Sequence, residues 1–291
     1  MSDFPLNPPL PLPPGQSEVD LLALFASIEL EGALKQELEN YWQQDWRRFV
    51  YTYGLVQGLA GSCLELGANP YFTTTLLKYF TPLHLTLANY FGPQFGVIAR
   101  QAVTSVNPRT RESETHEMEF HHFNIEDAVF PFPAGSFDIV LLCEVIEHLQ
   151  SDPMKVLLEI KRVLKPSGHL VLTTPNVARL ENVCRLLAGA NIYDPYSGYG
   201  PYGRHNREYN KHELAMLLDY CGFELETLFS ADVHSNEASS FFPVERVADL
   251  LGPRREDLGQ YLFARASNQR AARTRRPSWL YRSYPESELK T

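Results

Sequence analysis

From Ser62 onward, short runs of apolar residues alternate with longer stretches in which apolar residues recur at helical spacing. Alternation of this kind is typical of a parallel sheet covered by helices on both faces. The predicted strands are residues 62–66, 83–89, 118–124, 137–143, 168–174, 223–230 and 259–265, and the predicted helices are residues 71–80, 153–164, 177–188, 210–221 and 243–251. The pattern therefore predicts an α/β fold with a doubly wound, mostly parallel sheet of seven strands over residues 61–266.

The segments on either side of this domain differ from it in composition. Residues 1–16 are rich in proline and predict an extended, mobile and disordered arm. Residues 17–60 predict helices packed on the core, since Ser17 is a good cap and residues 33–59 carry aromatic side chains at near-helical spacing; a substrate lid is the less favoured alternative for 33–59. Residues 267–291 form an arginine-rich tail, expected to be solvated; docking to an anionic partner is the alternative.

Two stretches inside the domain are too long for simple connections between elements. In residues 91–117, polar and apolar residues alternate before a turn at Asn107-Pro108, which predicts an inserted hairpin. Residues 191–209 are rich in tyrosine and glycine, and form either an aromatic-lined acceptor site or an ordinary surface loop. The length of this loop and its position after the fifth strand favour the acceptor site.

The turn after the first predicted strand is the most informative part of the chain. Gly67 follows that strand directly and permits backbone angles closed to other residues. Asn69 and Pro70 suit the cap and the first position of a helix, which is predicted to begin at Tyr71. Because the start of a helix presents free N–H groups and a positive dipole end, this turn predicts a nucleotide-like or carboxylate-bearing cofactor.

Polar residues follow three other predicted strands. Asn89 ends the second strand, where ribose hydroxyls are bound in nucleotide-binding sheets, and its amide offers both a donor and an acceptor. Asn124 and Ile125 end the next strand, in position to face an adenine amino group and to pack on its ring. Glu144 and His148 follow the buried strand 137–143. Ligands of open α/β sheets bind at these carboxyl ends, so we expect the side chains to share one site.

In order and spacing, these segments resemble the class I S-adenosylmethionine-dependent methyltransferases, close to the small-molecule type 11/12 group. The resemblance runs from about Trp46 to Phe263 and includes Arg162-Val-Leu-Lys-Pro-Ser-Gly168, Thr174-Pro-Asn176 and Arg204-His-Asn-Arg-Glu-Tyr209. It implies S-adenosyl-L-methionine as cofactor and a last strand that runs antiparallel. It also implies cofactor contacts at the turn and the strand ends, from Glu65, Gly67, Ala68, Asn69, Asn89, Asn124, Ile125, Cys143 and Glu144. Of these, Glu65, Gly67 and Ala68 would hold the methionine end, and Cys143 and Glu144 would line the floor below the methyl group.

The chain departs from the pattern of this family at two places. The family's turn carries three glycines, whereas only Gly67 remains here, and an acid is usual at the position of Asn89. The leading hypothesis is methyl transfer to an oxygen of a small molecule or saccharide. The departures motivate an alternative, a catalytically impaired protein of the same fold that binds the cofactor and serves as a scaffold or partner.

Two histidines are the candidate catalytic residues, because a hydroxyl acceptor must lose its proton during methyl transfer. His148 is the first candidate base, and an equally open interpretation is that it braces the following helix. His205, on the tyrosine-rich loop, is the second candidate. The adjacent His121 and His122 face opposite sides of a strand, so no metal site is predicted from them.

Composition excludes several other classes of function. The net charge of −9 over 291 residues argues against a general nucleic-acid-binding protein, since such affinity depends on neutralising phosphates. No apolar run approaches the length of a membrane-spanning helix. The four cysteines lie in apolar stretches without CxxC spacing, which predicts free thiols and a reducing, cytoplasmic location. The oligomeric state is left open.

Overall fold

A nine-stranded mixed sheet forms the centre of the molecule. The computed structural model describes residues 4–127, 129–273 and 275–283. The strands are Glu29–Leu30 (β1), Gly61–Leu66 (β2), Leu83–Asn89 (β3), Ile98–Val106 (β4), Ser113–His122 (β5), Phe137–Cys143 (β6), Leu164–Pro175 (β7), Glu224–Ala231 (β8) and Tyr261–Ser267 (β9). They are arranged in the order β1-β4-β5-β3-β2-β6-β7-β9-β8. The Rossmann-like methyltransferase fold expected from the sequence is confirmed.

The sheet contains all seven predicted strands and two additional ones. β5, β3, β2, β6 and β7 pair in parallel, and β9 runs antiparallel between β7 and β8, as expected for the last strand. The additional strand β4 pairs antiparallel with β5 from Ile98 to Val106, so the predicted hairpin is present and its second strand is itself a strand of the main sheet. β1 pairs with β4 at the edge and has no counterpart in the prediction, because two residues carry no periodic signal.

Helices cover both faces of the sheet. They are Glu18–Ala26 (α1), Lys35–Val56 (α2), Phe72–Phe80 (α3), Pro153–Val163 (α4), Leu180–Leu187 (α5), Lys211–Tyr220 (α6) and the single turns Ala238–Phe241 (α7) and Ala248–Leu251 (α8). Alternate residues of a central strand enter opposite cores: Ile139 and Leu141 of β6 join α1–α3, whereas Val140 and Leu142 join α4 and α6. A strand buried on both faces explains the continuous apolar runs in the sequence.

Three helix starts, those of α1, α4 and α6, follow the local chemistry of the sequence. The Ser17 side chain accepts from the Asp20 N–H, Asp152 accepts from the Lys155 N–H at 3.3 Å, and Asn210 accepts from the Glu213 N–H at 2.9 Å. The prediction for the helix after β2 was wrong in its cap. Tyr71 adopts a left-handed conformation (φ 68°) and α3 begins at Phe72, with no side-chain cap. The predicted helix 243–251 is broken into short turns.

The proline-rich arm differs from the mobile segment that composition predicts, at least over residues 4–16. Its Leu10 and Leu12 pack against the core beside α2. The Tyr51 hydroxyl donates to the Pro8 carbonyl at 2.7 Å, and the Asp232 N–H donates to Asn7 Oδ1 at 2.7 Å. Residues 6–13 contain no helix or strand, and backbone groups of the arm, such as the Pro8 carbonyl and the Leu6 N–H, find partners on the domain.

The described part of the arginine-rich tail is also attached to the domain rather than solvated. Arg276 forms an ion pair with Asp152, in which both side chains are less than a tenth exposed. The Tyr281 hydroxyl donates to Asp152 Oδ1 at 2.5 Å and accepts from the Met154 N–H at 3.0 Å. Since Asp152 also caps α4, the tail secures the helix that follows the candidate site. The rest of the predicted tail, residues 274 and 284–291, lies outside the described residues.

Replacing Tyr281 with Phe should lower the free energy of unfolding by about 1–3 kcal/mol, because the substitution leaves a buried N–H and a carboxylate oxygen without that hydroxyl. The measurement is denaturant unfolding. Tyr193→Phe is the matched control: Tyr193 is 84% exposed and its change should alter stability by less than about 0.5 kcal/mol. Equal stability of both variants would show that the tail contributes nothing to α4.

Candidate active site

The carboxyl ends of β3, β2 and β6 open into a cavity of about 290 Å³, named here the strand-end cavity. Open α/β sheets bind their ligands at this edge. Seven predicted site residues line the cavity: Gly67, Asn69, Asn89, Asn124, Ile125, Glu144 and His148. Apolar walls come from Ile125, Phe123, Val145 and Leu149, and Tyr90 and Tyr202 add aromatic rings. The mixture of apolar walls and a few polar groups is typical of cavities for small organic ligands.

A hydrogen-bond network fixes the turn between β2 and α3. The Asn69 N–H donates to Asn89 Oδ1 at 2.9 Å, and Asn89 Nδ2 donates to the Tyr71 hydroxyl at 3.0 Å. Gln101 Oε1, on β4, accepts from the Tyr71 hydroxyl at 2.8 Å and from Asn69 Nδ2 at 3.1 Å. Asn89 is therefore engaged with the turn itself, and Asn69 bonds to β4 instead of capping α3.

Gly67 lies where the chain leaves β2 and passes under Val145. Its φ of 74° is in the left-handed region, and a Cβ built there would lie 2.7 Å from Val145 Cγ2. Its N–H donates to the Ala88 carbonyl at 2.9 Å. The turn therefore requires glycine at this position, because the φ angle is positive and Val145 leaves no room for a Cβ. Ala68 is 4% exposed and packs into the core, so the missing glycine at its position does not narrow the strand-end cavity.

A narrow space of about 20 Å³, named here the neck, adjoins the strand-end cavity at Gly67 and Asn69. Its volume is close to that of one water molecule. Three predicted residues line the neck and not the larger cavity, namely Glu65, Ala68 and Cys143. Tyr41 and Arg48 of α2 form the opposite side; Arg48 donates to the Tyr41 hydroxyl at 2.7 Å and to Asp45 at 3.1 Å. The N-terminal helix α2 thus forms one side of the neck, although the sequence favoured packing on the core over a role beside the site.

Burial dominates the electrostatics around the neck. It raises the pKa of Glu65 to about 7, although Thr74 donates to this carboxylate at 2.7 Å. It also raises the pKa of Glu144, whose Oε1 accepts from the Thr173 hydroxyl at 2.8 Å, and that of the Cys143 thiol to about 12. Arg48 is a buried cation close to Glu144 and partly opposes the effect of burial there. An anionic ligand group would find this cation at the neck.

Asn124 and Tyr202 close the outer side of the strand-end cavity. Asn124 Nδ2 donates to Asp127 Oδ2 at 2.8 Å and to the Tyr202 hydroxyl at 2.9 Å, and Asn124 Oδ1 accepts from the Glu126 N–H at 3.0 Å. The Tyr202 ring also meets the edge of Tyr90, with centroids 6.1 Å apart. Since Tyr202 belongs to the 191–209 loop, that loop covers the site. Direct contact between Asn124 and a ligand would need Tyr202 to move.

His148 and His205 meet although they come from distant segments. Their ring centroids are 5.0 Å apart. His148 Nδ1 lies 2.9 Å from the Arg204 carbonyl, which can only accept, so Nδ1 carries the proton and Nε2 keeps its lone pair. Burial lowers the pKa of His148, which favours this neutral form. The buried Glu147 lies beside both rings, and burial raises the pKa of its carboxyl.

A second cavity of about 220 Å³ begins on the far side of His205 and is named here the polar cavity. His205 Nδ1 bonds to Glu208 Oε1 at 2.9 Å, and Glu208 also pairs with Arg179 at 2.5 Å. Although burial opposes the charge, the hydrogen bond to Glu208 raises the pKa of His205. The remaining wall is polar and consists of Pro175, Glu181, Arg185, His234, Glu237, Gln260 and Tyr261. The two histidines thus lie between the two cavities.

Several residues of this site gave no signal in the sequence. Tyr71, Gln101, Arg48 and Glu147 act through partners on other elements, and their types are also common in cores and on surfaces. Tyr71, Gln101 and Tyr202 lay in segments that had been singled out, but none of the three was predicted as a cofactor or catalytic residue. No helix in the described ranges 4–127, 129–273 and 275–283 combines the length and apolar character needed to cross a membrane.

Comparison with known proteins agrees with the fold. A family profile described as a methyltransferase domain matches residues 84–172, from β3 into β7. A probable S-adenosylmethionine-dependent methyltransferase of Mycolicibacterium smegmatis is 34% identical over 109 residues, which are 38% of this chain and 36% of that protein. A protein of the same description from Mycobacterium tuberculosis is 29% identical over 196 residues, 64% of this chain and 57% of its own length. The chain therefore spans about a third to somewhat more than half of these relatives.

The fold is shared with a solved methyltransferase. In the complex of the Haloferax volcanii Trm112 methyltransferase activator with a methyltransferase, one chain matches with a TM-score of 0.50 at 18% identity, covering 79% of this chain and 93% of that one. Topology and the solved structure define the class of fold, a Rossmann-like methyltransferase fold. More specifically, the resemblance to class I S-adenosylmethionine-dependent methyltransferases that was read from the sequence is confirmed by the profile and the relatives.

The residues present fit S-adenosylmethionine in two parts. The strand-end cavity offers an apolar slot with polar edges for the adenosine half, and the neck offers a buried cation for the methionine carboxylate. The left-handed Gly67, which a Cβ would obstruct, lies where the two spaces join. Because the neck has room for only about one water, the methionine end requires side chains of α2 to move apart.

Replacing Gly67 with Ala should raise the Kd for S-adenosylmethionine by about tenfold or more, since the new methyl group enters the turn beneath the cofactor. Calorimetric titration measures this. Gly135→Ala is the matched control, because Gly135 has a similar φ of 65° and nothing within 4 Å of its added Cβ. Both variants carry the backbone strain, so only Gly67→Ala should lose affinity. Equal affinities would place the cofactor elsewhere.

The raised pKa of Glu65 predicts a pH dependence of stability. In the unfolded chain this carboxyl loses its proton near its ordinary pKa of 4.5, whereas in the folded protein it does so at about 7. As pH rises between these values the unfolded state binds fewer protons, so the free energy of unfolding should fall and then level off above about pH 7. Glu65→Gln should flatten this slope in denaturant titrations, whereas Glu37→Gln, on the exposed face of α2, should not. If the pH dependence of the free energy of unfolding were unchanged in Glu65→Gln, the raised pKa of Glu65 would be contradicted.

Proposed function

We propose that this protein transfers the methyl group of S-adenosylmethionine to an oxygen atom of a polar small molecule, of the hydroxyl-rich or saccharide type. One observation carries the proposal: a neutral histidine, His148, borders the strand-end cavity and touches a second histidine that borders the polar cavity. In this arrangement the cofactor would occupy the strand-end cavity and the acceptor the polar cavity. The two cavities meet at His148, whose Nε2 can accept a proton. A cytoplasmic location, suggested by four free thiols, is part of the proposal.

S-adenosylmethionine supplies an electrophilic methyl group on a sulfonium. What the protein then contributes is alignment of the acceptor and exclusion of water. Gly67 and Asn69 would lie against the cofactor at the turn, and Ile125 and Leu149 would flank its adenine. Arg48 would pair with its carboxylate at the neck, with Tyr41 in support.

The composition of the polar cavity supports a hydroxyl-rich acceptor. Several of its charged groups are already engaged: Arg179 pairs with Glu208, Glu181 Oε1 accepts from Gln260 Nε2 at 2.9 Å, and Arg185 lies over the Phe241 ring. Side chains whose charges are already balanced by a partner can still form hydrogen bonds to neutral polar groups, and they do not require a charged ligand. The cavity shares His234 and Glu237 with an open groove of about 680 Å³ beside α2, which provides a route from the surface.

The tyrosine-rich loop supports the same class of acceptor. Tyr193, Tyr196 and Tyr199 are 84–91% exposed, an unusual number of large rings to leave in water on one loop. Tyrosine combines an apolar ring face with a polar edge, a combination suited to the mixed faces of a sugar. The loop also carries His205 and Tyr202, which reach into the site.

His148 is the residue placed to activate the acceptor. Its Nδ1–H is fixed by the Arg204 carbonyl, so Nε2 is available to interact with an acceptor hydroxyl. Removal of the hydroxyl proton is required for O-methylation, and a positioned histidine contributes typically about 10²–10⁴-fold to such steps.

His148→Gln should lower kcat about 100-fold or more, while the Kd for S-adenosylmethionine changes less than about threefold, since His148 touches only the edge of the strand-end cavity. Release of S-adenosylhomocysteine measures turnover, and calorimetry measures binding. His84→Gln, on an exposed position of β3, is the matched control and should keep full activity. Full activity in His148→Gln would assign this residue to bracing the loop.

The acceptor class is tested by assaying S-adenosylhomocysteine release against sugars, nucleotide sugars and phenols. Turnover with sugars or nucleotide sugars supports the proposal, and turnover confined to phenols contradicts the saccharide class. If the protein binds S-adenosylmethionine and S-adenosylhomocysteine but turns over none of the panel, the cofactor-binding scaffold becomes the better account. If the protein binds neither compound, both the methyltransferase and the cofactor-binding scaffold are contradicted.

A further inference from the structure

Three potential metal ligands converge between the two cavities. Glu147, His148 and His205 each offer a ligand atom, and these atoms all lie within 4.8 Å of one another. Glu147 and His148 belong to the short 3-10 turn that follows β6, and His205 belongs to the 191–209 loop. Two imidazoles and one carboxylate are a ligand set that divalent transition metals prefer.

One oxygen of this cluster lacks a partner. Glu147 is fully buried, and its Oε1 has no hydrogen-bond partner in the described part of the chain. Its other oxygen, Oε2, accepts from the buried Thr174 hydroxyl at 2.9 Å, which fixes the carboxylate so that Oε1 faces His148 Nε2 at 3.8 Å. A buried oxygen held without a partner needs an explanation, and a bound cation provides one.

The Nδ1 atoms of His148 and His205 form the hydrogen bonds that are typical of metal-binding histidines. His148 Nδ1 donates to the Arg204 carbonyl, and His205 Nδ1 bonds to the Glu208 carboxylate, each at 2.9 Å. In both rings the remaining ligand atom is Nε2. Metal-binding histidines commonly bond their second nitrogen to a carbonyl or carboxylate in this way, which fixes the ring and the tautomer.

The backbone holds the two halves of the cluster together. The Glu147 carbonyl accepts from the N–H groups of Asn206 at 2.7 Å and Arg207 at 3.1 Å, directly after His205. Ligand atoms around an ion with bonds of about 2.1 Å lie roughly 3–4 Å apart, so the three side chains need only small rotations to close on one ion.

We propose that Glu147, His148 and His205 bind one divalent transition-metal ion, for which Zn²⁺ is the best match. Two histidines and one glutamate leave coordination positions open, as in catalytic zinc sites. Hard cations such as Mg²⁺ and Ca²⁺ prefer oxygen ligands and fit this set less well. The site lies where the strand-end cavity and the polar cavity meet, because His148 borders the first and His205 the second.

The bound ion has a role that rests on the proposed function. With His148 Nε2 as a ligand, an open position of the ion would take the acceptor hydroxyl and lower its pKa, and the hydroxyl proton would pass to a water molecule instead of to His148. His148 then acts by holding the ion. Binding of the ion itself does not depend on methyl transfer.

The test uses the full chain, freed of metal with a chelator and then titrated with Zn²⁺ in a competition assay. One ion should bind per chain, and Glu147→Gln and His205→Gln should each weaken binding about 100-fold or more. His169→Gln is the matched control, because His169 pairs with Glu226 at 3.2 Å away from the cavities, and it should bind as the wild type does. Circular dichroism establishes that each variant is folded.

Co²⁺ provides a second readout, since its visible spectrum reports nitrogen and oxygen ligands and would show sulfur bands if the cysteines bound it. Binding unaffected by both site variants, or no stoichiometric binding, would overturn the inference. Methyl transfer that persists unchanged after chelation would overturn the role of the ion. One-to-one binding without transfer to any acceptor would support the site and contradict the proposed function instead.

Discussion

The site depends on how the amide of Asn89 holds the turn between β2 and α3. Its oxygen accepts the Asn69 N–H and its nitrogen donates to the Tyr71 hydroxyl, and Gln101 of β4 completes the network. Buried polar groups need hydrogen-bond partners, so each of these four residues requires the others to be present. The two departures from the family pattern, fewer glycines in the turn and an amide where an acid is usual, are therefore parts of one arrangement: the amide supports the turn that glycines would otherwise form.

This constraint ties the cofactor side of the molecule to its additional strands. Gln101 lies on β4, the inserted strand that pairs with β5, and β5 pairs in turn with β3, at whose end Asn89 lies. The pairing register of β4, β5 and β3 therefore determines the position of the turn between β2 and α3. On the opposite side of the turn, α2 contributes Tyr41 and Arg48, so elements outside the common seven-stranded sheet flank the turn on both sides. The cofactor must fit a space that the additions to the fold define.

Sequence reasoning worked where the signal was local and failed where partners were distant. Apolar runs located every main strand, and Ser17, Asp152 and Asn210 cap their helices, because each signal is contained in a few neighbouring residues. Asn69 has the same cap chemistry, yet its partner is Gln101, which no spacing rule identifies. The arm and the tail have the composition of mobile segments, but contacts such as Arg276 with Asp152 attach them. Glu147 is an ordinary glutamate in sequence, and only the fold buries it and leaves one oxygen unpaired.

The 191–209 loop joins the cofactor and acceptor sides of the site into one moving part. Tyr202 of this loop covers the strand-end cavity through Asn124, while His205 meets His148 and borders the polar cavity. The loop is attached to the Glu147 carbonyl by the N–H groups of Asn206 and Arg207, directly after His205. A displacement of the whole loop that uncovered the strand-end cavity would therefore also separate the two histidines. Under the proposed function, entry of the cofactor and assembly of the acceptor site would then be coupled, which would keep water from the sulfonium until the loop has closed over both ligands.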